Sequence, residues 1–184
     1  MFRQTTLWLA VILAVCCLVA PEAAAEVFRV GLYGGAGRDT VCVNAAEGTV
    51  FAYSAWVQVP NDLGLRYVTL RLDLPAQLDF NSRPVFHDLV TDVIFTDFAD
   101  GTTEWNVLFN DCPSGWIRIY TQEVAVLEGG FSLIELVGDR SLARDCDFVL
   151  NGVEVANELA VNDPSCEVVT VTMTGWGSFK ARYR

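Results

Sequence analysis

Apolar and polar residues alternate with a period of two through much of this sequence, most regularly in residues 49–75. Phe51, Tyr53, Ala55, Val57 and Val59 fall on one parity, opposite Val50, Ala52, Ser54, Trp56 and Gln58. Beyond Pro60, Asn61, Asp62 and Gly64, Val68, Leu70, Leu72 and Leu74 alternate with Tyr67, Thr69, Arg71 and Asp73. Side chains in a strand project alternately to its two faces, so the second run presents an apolar face and a wet one. The turn formers between the runs predict that the two pair as an antiparallel hairpin. A lone hairpin is marginal in water, so further strands must cover its apolar side.

Those strands are legible along the rest of the chain. Residues 27–33 read as a first strand closed by Gly34, Gly35 and Gly37, and residues 41–43 as a short second one. Residues 75–84 read as a polar connection. Thr91, Val93 and Phe95 alternate with Asp92, Ile94 and Thr96, a pattern that predicts a strand partly buried on both faces. Asp100 and Gly101 then turn the chain, and Trp105, Val107 and Phe109 complete a second hairpin over residues 90–110. In residues 116–127, Ile117 and Ile119 lie on one parity but Val124 and Val126 on the other, which predicts a bulge near Thr121 and Gln122. Gly129 and Gly130 precede a strand over residues 131–137. Asn151-Gly152 predicts a hairpin turn between residues 146–150 and 153–156. Val169, Val171 and Met173 alternate with threonines in a last core strand. About nine or ten short strands with frequent turns predict an all-β antiparallel sandwich of immunoglobulin-like or jelly-roll topology. Residues 141–158 are the weak point, since Val155, Ala156, Leu159 and Ala160 also fit a short helix.

Residues 1–25 have the pattern of a signal peptide: Arg3, an apolar run from Leu7 to Ala20, Pro21, and small residues at Ala23 and Ala25. Cleavage there starts the mature chain at Glu26 and leaves no transmembrane segment. It also leaves four cysteines, Cys42, Cys112, Cys146 and Cys166. An even count in an exported chain reads as two disulfides with three possible connectivities. Chain proximity favours Cys146 with Cys166 and Cys42 with Cys112. Zinc is the rival use of four thiols, but no C-x-x-C spacing is present. The remaining 159 residues (184 less 25) suit a single domain over residues 26–175. The net charge of −11 opposes contact with nucleic acid or anionic lipid.

Candidate chemistry is sparse. His87 is the sole histidine, its sequence neighbour Asp88 is not placed to orient it as in a catalytic triad, and no nucleophile elbow, zinc helix or phosphate loop occurs. No catalytic residue is assigned, and an enzyme is not expected. Asp97, Asp100 and Glu104 share one turn and are candidate calcium ligands, although Phe98 and Ala99 break the alternation of a helical calcium loop. Trp56, Trp105 and Trp116 are candidates for stacking a sugar, with core packing as the alternative use of each ring.

The C-terminal residues 176–184 form a basic, aromatic tail on an acidic body. Trp176, Phe179, Lys180, Arg182, Tyr183 and Arg184 are its candidate docking residues. Together, the leader, the Val30-Gly-Leu-Tyr strand before Cys42, the Asp145-Cys146 pair and this tail resemble exported bacterial proteins with cohesin-like or immunoglobulin-like sandwiches. The resemblance implies an exported β-sandwich and transfers no catalytic residue. The resulting expectation is a secreted or cell-surface binding or structural module whose partner is a protein or a polysaccharide. The alternative is an extracellular carbohydrate-active protein, either a sugar-binding module or a glycoside hydrolase.

Overall fold

The computed structural model describes residues 27–166. Within them the period-two pattern becomes thirteen strands and one 3-10 turn at Gly138–Arg140. In chain order the strands are β1 (Phe28–Gly34), β2 (Cys42–Val43), β3 (Val50–Val59), β4 (Tyr67–Asp73), β5 (Leu78–Phe80), β6 (Val85–Phe86) and β7 (Val90–Asp97). They continue as β8 (Thr102–Phe109), β9 (Gly115–Val126), β10 (Ser132–Leu136), β11 (Leu142–Arg144), β12 (Leu150–Asn157) and β13 (Leu159–Val161). Residues 141–158 hold strands and no α-helix.

In one layer β3 lies between β1 and β9, and the short β5 and β6 pair along β9. In the other, β4 pairs with β8, and β7 lies outside β8. The far side of β4 is shared, β11 taking its first half and β10 its last residues. β11 and β12 form a hairpin, and β12 runs parallel to β1, so the two layers join along one edge. β13 pairs with β10 and, in parallel, with β2. Two parallel ladders make the sheet mixed where an antiparallel one was expected.

The predicted hairpin of residues 49–75 does not form. β3 and β4 belong to opposite layers, and residues 60–66 carry the chain across the core, anchored by the fully buried Leu65. Both strands had the apolar face a hairpin needs, but each meets the other's face across the core and pairs with later strands. Phe51, Tyr53, Val57, Val68, Leu70 and Leu72 all lie in this one core.

The bulge in β9 falls slightly earlier than predicted. Ala55 faces Tyr120 and Trp56 faces Arg118, so Ile119 is the extra residue, and the buried parity changes between Ile119 and Tyr120. β7 is not buried on both faces: among the described residues it is an edge strand, with Ile94 and Phe95 exposed. Asn151-Gly152 is not a turn but the start of β12. The turn comes earlier, where the Asp145 carboxylate accepts hydrogen bonds from the amides of Asp147 (3.0 Å) and Val149 (2.9 Å) and from the Asn151 side chain (3.1 Å). Asp145 therefore organises the loop, and Asn151 serves it as a donor.

The four thiols do form two disulfides, but in another connectivity from the one chain proximity favoured: Cys42 with Cys166, and Cys112 with Cys146. Strand adjacency decides this. β2 lies beside β13, bringing Cys42 to the segment that ends at Cys166. At the other end of the sandwich, the amide of Cys146 donates to Leu63 and that of Leu65 to Pro113, so three loops meet around the second bridge. Gly64 sits within this junction at φ +64°; a Cβ there would lie 2.7 Å from Cys146 Sγ and 2.9 Å from the Cys112 carbonyl oxygen.

Two phenol hydroxyls lie in the core, those of Tyr53 and Tyr120. The Tyr53 and Tyr120 hydroxyls share a 3.2 Å hydrogen bond, and Tyr53 also donates to Gln122 Oε1 (3.3 Å). Burial raises both phenolic pKa values above their ordinary value, because ionisation would place a phenolate in an apolar medium.

Peptide mapping without reduction is expected to recover the Cys42–Cys166 and Cys112–Cys146 pairs. Loop closure over 124 residues against 34 makes Cys42→Ser/Cys166→Ser the more destabilising double substitution, by about 1 kcal/mol in urea unfolding. Gly64→Ala is expected to cost about 2 kcal/mol or more, whereas Gly48→Ala, also at positive φ but with open space around its Cβ, costs about 1 kcal/mol. For the tyrosines, both folded pKa values lie above the unfolded value of about 10, so their contribution is intact below that pH and is lost as pH rises beyond it. Unfolding midpoints followed from about pH 8 to 11 should fall steeply at the alkaline end, and less steeply for Tyr53→Phe/Tyr120→Phe.

Candidate functional site

The outer faces of the two layers are built differently. On the β1–β3–β9 layer, the loop after β1 folds back over the sheet. Ser54, though on the outward parity of β3, is buried, and its hydroxyl donates to the Gly37 carbonyl (3.4 Å). The Arg38 guanidinium lies 4.3 Å from the Trp116 ring centre and 5.4 Å from that of Trp56. Trp56 donates its indole N–H to Ser54 Oγ (2.9 Å). Two of the three predicted stacking residues are therefore brought together, but around a cation of their own chain. The third, Trp105, is in the core, 5% exposed and packed against Phe86 and Tyr120.

On the outward parity of the other layer no loop among the described residues folds back over the sheet, although Thr69 and Arg71 on that parity are buried. One row across it runs Ile94, Asn106, Thr69, Leu142 and Gly152, on β7, β8, β4, β11 and β12 in turn. The next row runs Asp92, Leu108, Tyr67, Arg144 and Leu150. Asn106 ties the centre together: its Oδ1 accepts from the Tyr67 hydroxyl and from Thr69 Oγ1 (2.8 Å), and its Nδ2 donates to Glu104 (2.8 Å). Ile94 at one side and Leu142 and Leu150 at the other are exposed. The face is thus a polar centre of fixed side chains between two apolar margins. Its polar residues had been read only as the wet side of strands, because nothing local in the sequence says that five strands will align them.

The predicted calcium ligands lie on the turn at the rim of this layer and are directed to separate partners. Asp100 forms a 2.7 Å ion pair with the buried Arg71 and accepts from the Thr102 hydroxyl (2.6 Å) and amide (3.1 Å). These bonds, with the Arg71 charge, hold its carboxyl below the usual pKa. Asp97 accepts from Thr103 (3.0 Å), and Glu104 from Asn106. Arg71 also lies over the Phe98 ring at 3.9 Å. Among the described residues no three His, Cys, Asp or Glu side chains are grouped as a metal would need. Asp100 has a structural occupation here, which is to neutralise a buried guanidinium.

His87 lines a cleft of about 410 Å³ with Trp56 and Trp116. Its Nδ1 accepts from the Leu89 amide (3.3 Å) and its own amide donates to the Ile119 carbonyl (3.0 Å), so its hydrogen bonds among the described residues are with backbone. The tail residues Trp176, Phe179, Lys180, Arg182, Tyr183 and Arg184 lie outside the described residues, as do the leader and the strand expected around Val171. Among the described residues, no helix is long and apolar enough to cross a membrane.

No protein-family model matches the sequence, and no curated protein matches it. The structure does have counterparts. A cohesin module from a Clostridium perfringens family 33 glycoside hydrolase superposes with a TM-score of 0.60 at 13% identity, covering 74% of this chain and 97% of that one. A non-cellulosomal cohesin from the archaeon Archaeoglobus fulgidus gives 0.56 at 12% identity, over 76% and 94%. A cohesin from a type I cohesin–dockerin complex of Clostridium thermocellum gives 0.57 at 16% identity, over 76% and 95%. At such identities the agreement concerns the backbone, and the fold of this chain is cohesin-like.

Proposed function

We propose that this chain is a non-catalytic protein-binding module acting outside the cytoplasm, and that its partner docks on the open face of β7, β8, β4, β11 and β12. The observation that carries the reading is that face itself: five aligned strands whose central side chains are already hydrogen-bonded to one another. Association costs side-chain freedom, and residues fixed beforehand lose little more on binding. The exposed Ile94, Leu142 and Leu150 supply apolar area at the margins, where burial against a partner is favourable. The opposite face offers less, since the loop carrying Arg38 already occupies it. The C. thermocellum neighbour, a cohesin bound to a dockerin, supports a protein as the partner class. Two disulfides and the leader-like residues 1–25 support an oxidising compartment outside the cytoplasm.

The test is site-specific photo-crosslinking in the organism that makes the protein. A benzophenone side chain placed at Ile94 or Leu142 is expected to trap a discrete protein, and the same group at Gln58, on the other layer, to trap none. Adducts from Gln58 alone, or the same products from all three positions, would refute docking on this face.

A further inference from the structure

A second cleft, separate from that face, opens at the side of the sandwich where the segment between β5 and β6 passes the β7–β8 hairpin. Its volume is about 640 Å³, within the usual range for a binding site. Its walls include Phe86, Phe95 and Trp105, with Ser82, Arg83 and Gln122 among the polar groups. The rings form a connected cluster: Phe95 lies 4.5 Å from Trp105, and Phe86 lies 5.8 Å from both Trp105 and Tyr120. Phe95 is 46% exposed, a large apolar ring left at the surface beside a buried one.

Two features of this cleft are unexplained by the fold. The Trp105 indole Nε1 is buried without a hydrogen-bond partner among the described residues, although a buried donor ordinarily has one. Arg83 is exposed, makes no ion pair among the described residues, and is the only charged side chain lining the cleft. On a chain of net charge −11, a cation beside an aromatic trough with no ion pair among the described residues is a local reversal of sign. Gln122 is not available to a ligand in the same way, because its amide already donates to the Ser82 carbonyl (3.2 Å) and its oxygen accepts from Tyr53.

We propose that this cleft holds an aromatic side chain of a protein partner flanked by carboxylates: the ring enters among Phe86, Phe95 and Trp105, and a carboxylate pairs with Arg83. Arg83 is the one charged group on the walls, which favours an anionic flank beside the ring over a neutral sugar, and of the other polar side chains there the Asn81 and Gln122 amides already donate within the chain. The proposal adds an acidic aromatic anchor to the partner class inferred above, at a different surface.

The experiment follows the Trp105 indole N–H resonance by NMR, assigned with Trp105→Phe. The probes are acetyl-Glu-Phe-Glu-amide, its neutral analogue acetyl-Gln-Phe-Gln-amide, and digalacturonic acid. The acidic peptide is expected to move the resonance in a saturable way, with the neutral peptide at least about tenfold weaker. Arg83→Gln, at an exposed position that should leave the spectrum's dispersion intact, is expected to weaken the acidic peptide by a similar factor of about ten. Equal binding of the two peptides, an unmoved indole resonance, or tighter binding of digalacturonic acid would overturn the assignment. None of these readings uses Ile94 or Leu142, so this proposal can fail while crosslinking on the sheet face succeeds, and the reverse.

Discussion

Everything in this structure depends on two inward rows of side chains meeting across the sandwich. β3 contributes Phe51, Tyr53, Ala55, Val57 and Val59, and β4 contributes Val68, Leu70 and Leu72. Neither row can be covered by the other's strand lying alongside it in one sheet, because both would then face the same way. Burial of both therefore requires two layers, with residues 60–66 as the crossing. Once β3 and β4 are assigned to opposite layers, each needs its own hydrogen-bonding neighbours. β1 and β9 complete one sheet, while β8, β10 and β11 complete the other.

The same separation determines what is left for function. A two-layer sandwich has two outer faces, and this chain covers one of them with its own loop. Gly37 and Arg38 lie over Ser54, Trp56 and Trp116, so two of the three candidate stacking rings share a cation of their own chain. Among the described residues no such loop covers the other outer face, although Phe98 and Asp100 close over Arg71 at its rim. Its polar residues hydrogen-bond sideways along the sheet, through Asn106, which keeps them ordered at the surface. Preordered side chains flanked by exposed aliphatic groups suit the contact surface proposed above without demanding any reactive group on it.

At its ends the sandwich is secured by sulfur and by buried polar groups with definite partners. The Cys112–Cys146 bridge joins the loop before β9 to the turn before β12, next to the crossing at Gly64. Asp145 shapes that turn through its carboxylate, and Arg71 is held by Asp100 and Thr102 at the opposite rim. In each case a charged residue satisfies the fold's own donors and acceptors, Asp100 among them, which the sequence offers as a candidate calcium ligand.

The sequence by itself determined the strand content, the positions of most strands, the inward parity of β3, β4 and β8, and the presence of an irregularity in β9. These are local quantities, carried by which side of a two-residue repeat is apolar. Only the tertiary structure decided which strands are neighbours, and therefore that β3 and β4 do not pair, that Cys42 reaches Cys166, and that Asn151 lies within a strand. It also decided that Trp105 is core while Trp56 and Trp116 are surface rings closed by Arg38. An apolar strand face is satisfied by any apolar surface of suitable shape. The alternation of side chains thus fixes what must be buried but is silent on the partner that buries it.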